Sequence, residues 1–222
     1  VQALHYHYPG SERGIHNISF TLPRGSLTII TGAMGTGKTT LLKVLLGLLP
    51  HDQGAIYWNG EPILDPATVF VPPRVAYTAQ VPRLFSDTLR NNILLGWSAP
   101  ESALAHAIQT AVLEPDLAQL AQGLATPVGP RGVKLSGGQV QRAAAARMLV
   151  RTPELLVFDD LASALDGETE RRLWENLLQQ KAVFTVLAVS HQPLALHYAD
   201  QIIVMQAGHR QADAPTVIQF NV

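Results

Sequence analysis

The chain has 222 residues (24.0 kDa), with 16 Lys and Arg against 17 Asp and Glu, a formal net charge of −1. Apolar residues make up 47% and charged residues 15%, which can fill a sizeable core and argues against disorder. The charge balance argues against a nucleic-acid-seeking surface, and the absence of Cys removes disulfides, thiolate metal sites and Cys nucleophiles together.

At ~150 residues per domain the length allows one large domain or two small ones, and one domain over residues 1–222 is the expectation. No stretch of the sequence reads as a signal peptide, and none is expected. The apolar run 39–49 is broken by Lys43 and falls far below the ~20 residues of a membrane span. The chain starts at Val1 without Met, which points to processing or excision from something longer.

In chain order, His16, Ile18, Phe20 and Leu22 alternate with Asn17, Ser19 and Thr21 and predict a strand. Pro23-Arg24-Gly25 is a turn, and Leu27-Thr28-Ile29-Ile30-Thr31 suits a buried strand. Composition predicts a helix over 39–49 stopped by Pro50, then strands over 55–58, with an Asn59-Gly60 turn, and 74–78. Helical spacing follows over 87–95, 101–112 and 115–121, punctuated by Gly96, Pro100 and Pro115. An Ala- and Arg-rich helix over 140–150 precedes a buried strand over 155–158 that ends in two carboxylates. A helix over 167–179 and strands over 182–189 and 201–205 complete the pattern. Strands alternating with helices predict an α/β fold whose parallel sheet is covered on both faces.

Gly32-Ala33-Met34-Gly35-Thr36-Gly37-Lys38-Thr39 fits G-x-x-x-x-G-K-[ST]. The glycines let backbone N–H groups converge on a phosphate without Cβ obstruction, and the following helix start adds its positive dipole end. Lys38 can reach the β- and γ-phosphates, and the Thr39 hydroxyl can ligate Mg²⁺. Thr36 and Thr40 complete this phosphate-binding set. By itself Asp159, after four apolar residues, reads as a strand-end turn cap. Beside a P-loop it becomes the magnesium carboxylate, at the strand edge where open α/β sheets bind ligands.

Leu135-Ser136-Gly137-Gly138-Gln139 opens a helix, and two readings stand side by side. Ser136 or Gly137 can be its N-cap, or the glycines, hydroxyl and helix end can form a second anion site. One P-loop already makes a full cradle, so a second anion site would serve another part of the protein or a nucleotide held by a second molecule.

In these features the sequence resembles the ATP-binding-cassette (ABC) ATPases. The P-loop, residues 135–139, the strand ending at Asp159-Asp160, Ser163-Ala164-Leu165-Asp166 and Ser190-His191 follow the family's order over residues 8–208. The resemblance implies a P-loop NTPase core with a mostly parallel sheet, an N-terminal antiparallel β-portion, and a helical subdomain roughly over 85–150. It implies ATP hydrolysis with Mg²⁺, in a head-to-tail dimer with a second nucleotide-binding domain, identical or different. Ser136, Gly137, Gly138 and Gln139 would then contact the γ-phosphate of ATP on the facing P-loop.

By the same resemblance Tyr8, rather than Tyr6, stacks on adenine, and Gln80 touches Mg²⁺ and couples to transmembrane domains. Asp166 communicates across the dimer, although it also reads as a helix cap. His191 contacts the γ-phosphate. The other histidines carry no such role, and the alternation of His5 and His7 is a weak metal-pair signal. The stretches 83–93 and 128–134 look like exporter-type members, with transmembrane domains fused or separate, at the cytoplasmic face of a membrane and without nucleic acid. A DNA- or ribosome-acting relative is disfavoured, because the interval from Lys38 to Leu135 cannot hold a long coiled coil.

Three positions depart from the family. Asp160 stands where Glu usually polarises the attacking water, and one methylene less shortens its reach by roughly an ångström, a misplacement worth ~10²-fold in rate. The alternative it raises is a mainly ATP-binding half of an asymmetric pair. Met34 replaces the usual Ser of the loop, where backbone amides do the binding. Pro130 replaces the Glu that exporters carry before residues 135–139, which match the family's signature.

Overall fold

The structure is a computed structural model and describes residues 1–210. The elements run β1 (Gln2–His7), β2 (Gly14–Ile18), β3 (Leu27–Thr31), α1 (Lys38–Leu45), β4 (Gln53–Ala55), β5 (Tyr57–Trp58) and β6 (Glu61–Pro62). They continue with α2 (Pro66–Val69), β7 (Val75–Thr78), β8 (Asp87–Thr88), α3 (Leu89–Leu94), α4 (Glu101–Thr110), α5 (Glu114–Gln119) and β9 (Pro127–Val128). Then follow α6 (Gly137–Leu149), β10 (Leu155–Asp159), α7 (Gly167–Leu178), β11 (Thr185–Val189), α8 (Pro193–Tyr198), β12 (Gln201–Gln206) and β13 (His209–Arg210).

The main sheet has the order β13-β12-β3-β11-β10-β7, parallel except for the β12–β13 hairpin. This is the α/β P-loop NTPase architecture. Side chains alternate along its buried strands. On β10, Leu156 and Phe158 face the core shared with the helical segment, while Leu155 and Val157 face the core built on α1. The two-residue period therefore turns Asp159 toward α1. The parallel register aligns Asp159 with Val189, so β10 and β11 end level, and β3 runs in the same direction beside them. The P-loop, Asp159 and His191 thus leave one edge of the sheet.

The N-terminal β-portion is an antiparallel sheet of order β2-β1-β4, packing Leu4, Ile15 and Ile18 against Leu41 and Leu42 of α1. The strand predicted over 16–22 ends at Ile18, although Phe20 still packs inward. β1 is not among the strands predicted from the sequence, although Leu4 and Tyr6 turn inward and His5 and His7 do not; the extra residue of its bulge with β2 lies on β2, between Ile15 and Ile18. Between β7 and β10, helices α3 and α4 pack on α6.

The first helix stops at Leu45, five residues before Pro50, because Gly47 ends it. Gly47 has φ +69°, its N–H bonds the Val44 carbonyl at 3.1 Å, and the Leu48 N–H bonds that of Lys43 at 2.8 Å. This is a Schellman cap. A Cβ at Gly47 would also lie 2.3 Å from the Ala67 nitrogen. Gly47→Ala combines a left-handed alanine with a backbone overlap, so a loss of ~1–3 kcal/mol is expected, read as a lower urea midpoint at unchanged slope.

Candidate functional site

The P-loop joins β3 to α1 through glycines with φ of +134° (Gly32), +80° (Gly35) and +94° (Gly37). A Cβ at Gly32 would lie 2.1 Å from the Met205 carbonyl oxygen, and one at Gly37 would press on the Gly14 oxygen at 3.1 Å. Gly37 caps α1 without any side-chain acceptor. The Thr36 hydroxyl closes the loop by donating to the Ala33 carbonyl at 2.9 Å.

Lys38 is buried, and its Nζ donates to the carbonyls of Gly32 and Ala33, both at 2.7 Å. Burial pushes its pKa down, while Asp159 and Asp160 pull it back up. Asp159, 2% exposed, accepts from the Thr39 hydroxyl at 3.0 Å. Burial pushes its carboxyl above the ordinary range, and Asp160 adds to this. The Thr39 bond, Lys43 and Lys38 act in the opposite direction.

Asp160 has a left-handed backbone, φ +62°, with its N–H on the Val189 carbonyl at 3.0 Å. The Gln80 amide donates to Asp160 Oδ2 at 3.4 Å. His191 Nδ1 lies 3.4 Å from the Thr31 hydroxyl. Tyr8 is 38% exposed, and its hydroxyl meets Thr40 Oγ1 at 3.1 Å. Tyr6, 4% exposed, is held edge-on to it in the core at 5.0 Å between ring centroids. Lys38, Thr39, Asp159, Asp160 and Gln80 are therefore linked by contact or charge, with His191 on the same sheet edge.

Residues 135–139 take the cap geometry. The Gln139 N–H donates to Ser136 Oγ at 3.3 Å and the Ser136 N–H to Gln139 Oε1 at 2.8 Å, a full capping box. This starts α6 at Gly137, three residues before the predicted 140. Gln139 Nε2 donates to buried Asp116, which Arg142 also grips twice at 2.8 Å. A Cβ at Gly138 would sit 2.8 Å from the Ala164 carbonyl oxygen, whereas Gly137 meets the Ala164 Cβ only at 3.4 Å. Asp166 caps α7, accepting from the Thr169 N–H at 3.0 Å and hydroxyl at 2.8 Å, bonds that hold its carboxyl below the ordinary range.

Sequence reasoning missed Asp116, Tyr77 and Gln141. The Tyr77 hydroxyl is buried without a hydrogen-bond partner and is pushed up to about 12 by burial, with Asp159 contributing. Asp116 and Gln141 sit in segments read only as helices, and nothing local marks them. His5 and His7 do not form a ligand pair: His7 bonds Asp52 at 3.0 Å and His5 accepts from the Asn17 N–H at 3.4 Å.

No group of three His, Cys, Asp or Glu among the described residues could hold a metal ion. Magnesium in phosphate sites typically takes only one or two carboxylates and leaves the rest to phosphates and water. The paired Thr39 hydroxyl and Asp159 carboxylate are hard oxygen donors of that kind. No helix among the described residues is long and apolar enough to cross a membrane.

The family model described as "ABC transporter" matches residues 15–163. The multidrug resistance-like ATP-binding protein MdlA of Escherichia coli (strain K12) is 39% identical over 211 residues, 94% of this chain and 36% of that protein. An ATP-dependent lipid A-core flippase of Pseudomonas fluorescens is 37% identical, over 94% of this chain and 35% of its own length. A bacterial Atm1-family ABC exporter, solved with ATP bound, superposes with a TM-score of 0.85 at 30% identity, over 94% of this chain and 37% of that one. The fold and site define an ATP-binding-cassette domain. The chain belongs to the ABC transporter family, and it spans little more than a third of the length of these relatives.

Because burial raises the folded-state pKa of Asp159, its ionised form opposes folding. Stability is lost as pH rises through the ordinary value near 3.8 toward the raised one. Asp159→Asn keeps an acceptor for Thr39 and removes the charge. The nucleotide-free variant should therefore melt at a higher temperature than wild type at pH 7, a gain that shrinks as pH falls toward 4. Melting curves across pH check it.

Proposed function

We propose that this chain binds and hydrolyses ATP and drives a membrane exporter. Supporting this most directly is the cluster of Lys38, Thr39, Asp159 and Asp160 at one sheet edge beside the P-loop glycines. The relatives named as exporters and flippases extend the reading to transport. Lys38 exchanges the carbonyls of Gly32 and Ala33 for the β- and γ-phosphates, and the start of α1 offers its N–H groups. Thr39 and Asp159 would hold Mg²⁺, with Gln80 beside them, and the ion when bound supplies positive charge to the phosphate oxygens.

Asp160 accepts a proton from the attacking water as a new O–Pγ bond forms in line with the breaking bond to ADP. His191 steadies the γ-phosphate oxygens. The Tyr8 ring, next to Thr40 of α1, stacks on adenine. Ser136, Gly137 and Gly138 of one copy face the γ-phosphate held by a second nucleotide-binding domain. Gln139 and Asp166 shape the loops of that interface, since both side chains are committed to caps. Transmembrane domains would place the assembly at the cytoplasmic face of a membrane.

Asp160 itself favours a second reading, a slow or non-hydrolysing half of an asymmetric pair. Hydrolysis is measured for wild type, Asp160→Glu and Asp160→Asn at saturating MgATP. The expected order is a slow wild type, a gain of about tenfold for Glu, and a floor for Asn. A wild type that is already fast, with no gain from Glu, removes the asymmetric reading. No turnover in wild type or Glu leaves ATP binding alone.

Tyr8→Ala should weaken ATP by ~1–3 kcal/mol, in the range of base–aromatic stacking, and leave tripolyphosphate competition unchanged. Titration with a fluorescent nucleotide measures both. Equal losses would mean that the ring acts through Thr40 rather than through adenine.

A further inference from the structure

Beside Asp160 lies a buried carboxamide that the proposed reaction does not use. Gln141, on the second turn of α6, is 5% exposed. Its Nε2 donates to the Asp160 carbonyl oxygen at 3.3 Å and to Ser163 Oγ at 3.0 Å. Its Oε1 accepts from the Ala164 N–H at 3.2 Å. Ser163 Oγ in turn donates to the same Asp160 carbonyl at 3.1 Å. One side chain thus closes the turn 160–164 at both ends.

We infer that Gln141 is a positioning residue for Asp160, holding the left-handed turn that aims its carboxylate, and that through it the signature helix and the base move as one body. The inference rests on the hydrolytic role proposed for Asp160. Asp160 is fixed on its amino side by the Val189 carbonyl and at its carboxylate by Gln80, and both bonds leave the following peptide plane free to turn. That plane is held by the bonds to the Asp160 carbonyl, from Gln141 and Ser163. A residue at φ +62° sits in a narrow well, so losing those bonds lets the turn relax toward the commoner right-handed region and swings Cβ with it. Gln141 has no hydrogen bond to Lys38, Thr39, Asp159 or Gln80, so its effect on the reaction is indirect.

The same geometry gives the helix a mechanical role. Ser136 to Gln139 begin α6, Gly138 lies against the Ala164 carbonyl, and Gln141 bonds the Ala164 N–H one turn further on. A displacement of the signature by a facing nucleotide is therefore transmitted to the base of the chain's own site.

The test is steady-state and single-turnover hydrolysis by the full chain. Gln141→Met keeps the length and loses all three bonds. It should lower kcat about tenfold with KM within twofold, because nucleotide contacts are untouched. Gln141→Glu keeps the acceptor for Ala164 and should fall in between. Ser163→Ala removes half of the clamp with little change to the core and should cost about threefold, which keeps the test available if the Met variant does not fold. Combined with Asp160→Asn, Gln141→Met should bring no further loss, since the group being positioned is gone. Amide exchange at Ala164 should speed up in the Met variant and stay slow in Glu. A wild type that turns over while Gln141→Met and Ser163→Ala match it, or losses that fall on KM or add in full to Asp160→Asn, overturn the inference alone. A wild type that does not turn over removes the hydrolytic reading, and the positioning role with it.

Discussion

A carboxylate at the end of a buried parallel strand is costly to keep ionised, and that cost organises the site. Asp159 lies level with Val189 in the sheet and faces α1, with the Thr39 hydroxyl as its one side-chain hydrogen bond among the described residues. Lys38 and Lys43 favour the charge, yet the Lys38 ammonium is itself buried and satisfied by loop carbonyls. The two ions lower each other's penalty without forming a pair. Charges held apart in a shielded site remain available to a polyanion and a cation, and a fold that keeps them so gives up stability for function.

The loop that carries Lys38 is held in place because two distant segments close on it. The Gly208 N–H bonds the Thr36 carbonyl at 3.2 Å, the His16 N–H bonds the Gly208 carbonyl at 2.8 Å, and Gly37 packs against Gly14. The P-loop thus touches the N-terminal sheet and the final hairpin at once. Its backbone conformation is set by tertiary contact as well as by its own glycines. Tyr8 extends from that same N-terminal sheet, so the exposed ring is held at a fixed distance from the loop by strand pairing and by Thr40.

What the sequence made legible was local chemistry. Gly32 to Thr39 must be spelled in order, since a cradle of backbone amides needs glycines at fixed offsets, and a buried strand ending in acids is equally compact as a signal. The parallel sheet followed from β-branched runs alternating with helical spacing. The turn-level stops were harder. Pro50 is a visible breaker, but Gly47 acts first, since its left-handed backbone closes the Schellman cap just past Leu45. Asp116 and Gln141 were invisible for one reason: each works through a partner brought close by packing, and a lone polar residue in a helix carries no mark of that partner.

Asp160 brings the local and the tertiary together. At φ +62° the backbone occupies a region that Asp and Asn enter more readily than longer side chains, because a short polar group there can bond locally. Aspartate therefore eases the turn that Gln141 and Ser163 close, while its missing methylene shortens reach toward the phosphates. A glutamate in its place would extend the carboxylate and strain the backbone, and the clamp on the following carbonyl would have to absorb that strain. Reach and ease of turning oppose each other at this one position. The rate this site attains then depends on how firmly residues 160–164 are held as well as on the length of the side chain that carries the base.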